Sequence, residues 1–137
     1  MKLTNKGLEK RFIEYNNLYF NGRLGKCTLK TTYCKDRYGQ CLIGKTNSIK
    51  ITNQVNWTDE SLRDCLLHEM IHLYIFSILG INRDGFFNHG RHFRREVRRI
   101  KRNFGIHVSI RCYGYPPIKG KPSHKLCERV LAWLIDR

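Results

Sequence analysis

Acidic residues are scarce in this chain. Eleven Asp plus Glu stand against 26 Lys plus Arg in 137 residues, a formal net charge of +15. An excess of that size favours a polyanionic partner, with nucleic acid ahead of a membrane surface. Long apolar runs are also missing. The longest, around Leu73 to Leu79, is far too short to span a bilayer. The opening Met1-Lys2-Leu3-Thr4-Asn5-Lys6 has no apolar stretch of the kind a secretory leader carries, so the chain reads as cytoplasmic, with no membrane partner. There is no C-x-x-C pair among Cys27, Cys34, Cys41, Cys65, Cys112 and Cys127. That argues against a structural zinc knuckle and for free thiols, several of them buried, in a reducing compartment. Internal repeats, low-complexity tracts and a dividing linker are absent too. Residues 1–137 therefore read as one domain, with an apolar fraction of 41%, long enough to bury a core without disulfides.

The remaining pattern is that of an α+β protein. Leu8, Phe12, Tyr15 (or Ile13), Tyr19 and Phe20 recur at helical spacing within residues 3 to 20, and Asn21-Gly22 closes that helix. Three short strands are expected at Cys27 to Tyr33, Cys41 to Gly44 and Ser48 to Thr52, and the short turns between them predict an antiparallel meander. Thr58 or Asp59 caps a helix running to about Leu79, and Asp59 and Glu60 suit the positive end of its dipole. A further helix starts near Gly90, with Phe93, Val97, Ile100 and Phe104 as its core face. A strand over residues 106–113 and a closing helix from Ser123 to Ile135 complete the expected elements.

The chemistry concentrates between Leu66 and Phe93. His68-Glu69-Met70-Ile71-His72 is an H-E-x-x-H sequence, and on a helix its two imidazoles share a face and reach one metal ion. Glu69 is placed to take a proton from a water that the metal activates. The surrounding Leu66, Leu67, Met70, Ile71, Leu73, Tyr74, Ile75 and Phe76 make the helix apolar nearly all round, as a buried helix is. Two His and a Glu buried there are costly unless something binds them, and a zinc ion does so. A catalytic zinc takes three protein ligands. Gly80, Gly85 and Asn88 mark a turn back, after which His89 is the leading candidate for the third ligand and His92 its rival. His92, His107, Tyr113 and Tyr115 are all candidates to donate a hydrogen bond to the developing oxyanion.

H-E-M-I-H, a gap of under twenty residues and then His89-Gly90 with Phe93 together resemble the SprT-like zinc metalloproteases. Tyr15-Asn16-Asn17-Leu18-Tyr19-Phe20-Asn21-Gly22-Arg23-Leu24 and Ser48-Ile49-Lys50-Ile51 extend the resemblance upstream, over roughly residues 8 to 110. It implies a zincin-like fold, zinc ligands at His68, His72 and His89, and a catalytic Glu69. The family includes a DNA-dependent protease of DNA–protein crosslinks, which implies protein substrates on DNA. The zinc ribbon with paired C-x-x-C knuckles that ends many bacterial members has no counterpart in these residues.

Charge clustering supports a nucleic-acid partner independently. The helix after His89 carries Arg91, Arg94, Arg95, Arg98, Arg99, Lys101 and Arg102, offset only by Glu96. Such a run would track phosphates beside the cleft. The resulting expectation is a small antiparallel sheet packed on the H-E-x-x-H helix, followed by a basic helix, forming a metallopeptidase with one catalytic Zn2+ and DNA as its nucleic-acid partner. Two other classes fit less of the sequence: a nucleic-acid-binding module with a structural zinc, and a zinc hydrolase of a non-protein amide.

Overall fold

A computed structural model describes residues 2–112 and 114–120 of the chain. The first helix, α1, spans Asn5–Phe20, with the Thr4 hydroxyl accepting from the Gly7 N–H as its N-cap. Tyr15 rather than Ile13 continues the buried stripe of Leu8, Phe12, Tyr19 and Phe20, leaving Ile13 61% exposed. Asn21 closes α1 in the left-handed region, which Asn tolerates better than most side chains. The Asn16 amide then pins the following turn, donating to the Leu24 carbonyl and accepting the Leu24 N–H.

Three strands follow, β1 (Cys27–Thr32), β2 (Gly39–Leu42) and β3 (Asn47–Thr52). Their order is β1-β3-β2, with β1 parallel to β3 and β2 antiparallel to it. This corrects the expected antiparallel meander: the sheet is mixed, and β1 never meets β2. The physical reason lies in burial. Ile49 and Ile51 of β3 are fully buried, so β3 takes the centre, while β2 offers only Gly39, Gln40, Cys41 and Leu42 and suits an edge. The connection over residues 33–38 is long enough to carry the chain past the position that β3 fills. Leu29, Ile49 and Ile51 face the helices, whereas the paired Lys30 and Lys50 lie on the opposite face.

Helix α2 spans Asp59–Leu73 and opens with a reciprocal capping box between Thr58 and Ser61. Leu62, Cys65, Leu66, Leu67, Met70, Ile71 and Leu73 are all buried, as expected of a helix apolar on every side. It packs against β2 and β3 while α1 covers β1. Beyond Leu73 the helix widens into a π turn at Tyr74–Ile78, in which the Leu79 N–H donates to the Tyr74 carbonyl five residues back. A 3-10 turn at Phe86–Asn88 leads into α3, Arg91–Phe104.

Two further expectations need correction. Phe104 is not part of the α3 core face. It is 43% exposed at the helix end, where it meets the Tyr19 ring in a T-shaped contact, while Phe93, Val97 and Ile100 are buried. Residues 106–112 form no strand, and the backbone N–H and carbonyl of Ser109 at their centre bond to the α2 side chains Asp64 and His68 in place of a neighbouring strand. The only pairing downstream among the described residues is an isolated bridge of Ile118 to Val55. The expected helix from Ser123 to Ile135 lies outside the described residues.

Candidate metal centre

His68 and His72 sit one helical turn apart on the same face of α2, as the i, i+4 spacing requires. His89 reaches them from a turn whose backbone is unusual. Gly85, Phe87 and Asn88 all have positive φ, and the chain crosses itself where Gly90 meets Asp84. The Asp84 carbonyl accepts the Gly90 N–H at 2.7 Å, and its buried carboxylate accepts the N–H groups of His92 and Phe93 at 3.2 and 2.7 Å. One aspartate thus caps α3 and closes the turn that delivers His89. The Asn88 side chain accepts the Asp84 N–H and completes the loop.

The three Nε2 atoms converge. They lie 3.3 Å apart for His68–His72, 3.2 Å for His72–His89 and 3.1 Å for His68–His89. Nitrogens bound about 2.0–2.1 Å from one tetrahedral ion stand roughly 3.3–3.4 Å from each other. The His68 Nδ1–H donates to the Ser109 carbonyl at 2.8 Å, which leaves the His68 Nε2 as a bare lone pair facing the other two. Burial lowers all three imidazoles below their ordinary range, to about 2 for His72 and about 3 for His89, so the cluster is uncharged, as metal binding requires. Phe93 forms the floor, its ring centroid 4.8 Å from that of each histidine. The donor set therefore fits a metal ion held by three histidines, and these are the residues that form such a cluster among those described.

Glu69 is buried beside this cluster, and burial raises its carboxyl to about 8, opposed by the positive charge of Arg37. Strand β2 lies directly over it. A Cβ at Gly39 would come within 3.1 Å of the Glu69 Oε2 and 3.2 Å of the Cys65 Sγ, so any larger residue would have to push these side chains aside. Cys65 itself is a buried core residue whose thiol is pushed well up by burial.

His92, the rival third ligand, falls outside the cluster and meets Arg91 instead. Of the oxyanion candidates, Tyr115 is buried with its hydroxyl donated to Asp64, His107 is exposed, and Tyr113 lies outside the described residues. The cations of α3 divide. Arg91, Arg95, Arg98, Lys101 and Arg102 are exposed. Arg99 is used internally, donating to Glu96 and to the Tyr19 carbonyl and lying over the Phe20 ring, and Arg94 donates to the His89 carbonyl. Sequence reasoning missed Asp64, Asp84 and Ser109. Asp64 stands four residues before His68, a helical spacing that would have drawn attention to it. Asp84 and Ser109 carry no such signal.

A helix bearing H-E-x-x-H, packed under a small mixed sheet and completed by a third histidine from the next turn, has the arrangement of a zincin site. The chain belongs to the SprT-like family, whose model matches residues 8–112. Comparison with curated proteins gave no match. Family membership and the histidine cluster together point to a metallopeptidase. No helix among the described residues is long and apolar enough to cross a membrane.

Proposed function

We propose that the chain is a zinc-dependent metallopeptidase that hydrolyses peptide bonds in proteins associated with nucleic acid. The observation that carries the peptidase reading is the convergence of three neutral Nε2 atoms beside one buried carboxylate. In this reading His68, His72 and His89 hold the ion and Glu69 is the general base. A bound zinc supplies Lewis acidity, polarising a carbonyl and bringing the pKa of water down to about 7. Glu69 accepts a proton from the attacking water and returns one to the leaving amine. A purely structural zinc would have no use for a buried carboxylate in that place.

The edge of the sheet gives a peptide somewhere to align. Thr52 donates its N–H to the Tyr38 carbonyl, which makes Gln40 and Leu42 the residues bonded to β3 and turns the backbone groups of Gly39 and Cys41 toward the open edge. An extended substrate pairing there would lie over Glu69.

The nucleic-acid part rests on α3. Arg91, Arg95, Arg98 and Arg102 fall at intervals of three and four and are all exposed, forming one cationic stripe about 16 Å long that begins two residues after His89. Phe86 and Phe87, 75% and 71% exposed just before His89, offer ring faces on which bases can stack. The test is cleavage of a DNA-binding protein by zinc-loaded enzyme, with and without single-stranded DNA. Cleavage that is stimulated by DNA supports both parts. Cleavage indifferent to DNA keeps the peptidase and removes the nucleic acid, and no cleavage by protein holding one zinc counts against the peptidase.

A binding measurement isolates the stripe. Replacing Arg95, Arg98 and Arg102 together with Gln should leave folding unchanged and weaken DNA binding. The slope of log K against log salt should become shallower by about two to three, one phosphate contact being worth roughly 0.7 to 0.9 in that slope. An unchanged slope in the triple variant would place the contact elsewhere.

A further inference from the structure

Asp64 is half-buried on α2 and accepts three hydrogen bonds: from the Ser109 N–H at 2.9 Å, the Ser109 hydroxyl at 2.8 Å and the Tyr115 hydroxyl at 2.9 Å. Ser109 in turn accepts the His68 Nδ1–H on its carbonyl. We propose that Asp64 is a positioning residue for the metal centre, holding the Ser109 backbone so that its carbonyl fixes the tautomer and ring orientation of His68.

Four observations carry this. Asp64 and His68 share a helix face, so one carboxylate and one imidazole address the same crossing segment. Residues 106–112 belong to no strand, so the place of Ser109 is not set by a sheet ladder, and its N–H and its hydroxyl both donate to Asp64. Asp64 is itself held from the far side. Tyr115 is buried with its ring edge-on to Tyr38 and Trp57, at 5.1 and 5.7 Å, and its hydroxyl reaches the carboxylate. Finally, the arrangement is asymmetric: the His72 Nδ1 has no partner among the described residues, so His68 is the imidazole that this support locks. A carbonyl only accepts, so the bond demands the proton on Nδ1 and leaves Nε2 bare toward His72 and His89. The direction of support thus runs from the Tyr38, Trp57 and Tyr115 cluster, through Asp64 and Ser109, to the first residue of H-E-x-x-H. The inference rests on the metal-site reading above, yet its structural half can be examined without any metal.

The experiment records imidazole 15N–1H correlation spectra of metal-free protein and zinc affinity by competition with a chromophoric chelator. Four forms are compared: wild type, Asp64→Ala, Asp64→Asn and Tyr115→Phe. In the wild type, His68 should show one tautomer with its proton on Nδ1. In Asp64→Ala that signal should become mixed and zinc affinity should fall about 10–100-fold. Asp64→Asn, which keeps an acceptor for the Ser109 N–H, should recover the single tautomer and most of the affinity. Tyr115→Phe should fall between wild type and Asp64→Ala, and it decides the matter if Asp64→Ala does not fold. A single unchanged His68 tautomer with zinc affinity within twofold of wild type in Asp64→Ala, or in Tyr115→Phe if Asp64→Ala is unfolded, would overturn the proposal. So would an affinity loss with no change in the His68 signal, which marks a merely structural residue. Wild-type protein that binds no zinc at all would sink the metallopeptidase reading, while the spectra would still decide the role of Asp64.

Discussion

Glu69→Gln should lower peptide cleavage about 10²–10⁴-fold, the usual contribution of a general base, with zinc affinity held within a few-fold of wild type. Gln matches Glu in shape and removes only the basic oxygen. The substitution also has a stability signature that works in the opposite direction. Burial raises the Glu69 carboxyl from 4.5 to about 8 in the metal-free protein. Between those values the folded state keeps a proton that the unfolded state has released. The folded state therefore binds more protons, and stability falls as pH rises through that window. Gln has no such slope. In chelator-treated protein the denaturation midpoint of the variant should gain on the wild type as pH is raised from 4.5 toward 8. Added zinc should shrink that advantage, because a cation next to Glu69 favours its ionised form. Cleavage by the variant at more than a tenth of the wild-type rate would move the general base to another group.

The opposed signs of these two effects identify Glu69 as a residue kept at a cost to the apo fold. Its neighbours show the same economy. Gly39 gives up a side chain so that β2 can rest on Glu69 and Cys65, and the buried His68 and His72 and the part-buried His89 bring their Nε2 atoms together. A core built for stability alone would fill these positions with apolar side chains.

What could be read from the sequence was local, and what could not was long-range. The stripe of α1, the cap at Thr58, the burial of α2 and the candidate ligands all follow from spacings within a few turns of helix. The same information cannot place one strand beside another. The Tyr33–Tyr38 connection looks like a short turn and invites a hairpin, but the choice of partner for β1 is made by where Ile49 and Ile51 are buried. Residues 106–113 alternate like a strand, yet Ser109 spends its N–H on a carboxylate 45 residues earlier. The cationic face of α3 was legible as composition and not as geometry. Arg99 looks like its neighbours in sequence, and only the packing of α3 against Tyr19 and Phe20 shows that its guanidinium is already engaged.

Gly90→Ala should cost the metal site as much as deleting its third ligand, and should cost the fold more. A Cβ built at Gly90 lies 2.7 Å from the Asp84 Oδ1 and 2.8 Å from both the Asp84 carbonyl carbon and oxygen. Two of those atoms are backbone, so no rotamer change relieves the clash. The backbone of Gly85 also passes close by, since a Cβ there would stand 2.9 Å from the Gly90 Cα, so the crossing is tight on both sides. The chain must separate at this crossing. That breaks the 2.7 Å bond from the Gly90 N–H to the Asp84 carbonyl and disturbs the carboxylate contacts to the His92 and Phe93 N–H groups. Overpacking of this kind costs about 1–3 kcal/mol and loss of a helix cap about 1 kcal/mol, so destabilisation of about 2–4 kcal/mol is expected. His89 precedes the crossing directly, so its Nε2 should leave the 3.1–3.3 Å triangle with His68 and His72. Zinc affinity should then drop to the level of His89→Ala, while His89→Ala, which leaves the crossing intact, should retain more of the wild-type stability. Chelator competition and chemical denaturation of the two variants side by side separate the effects. Wild-type zinc affinity in Gly90→Ala would mean that His89 reaches the cluster by some freedom in the turn, and the glycine beside it would need another explanation.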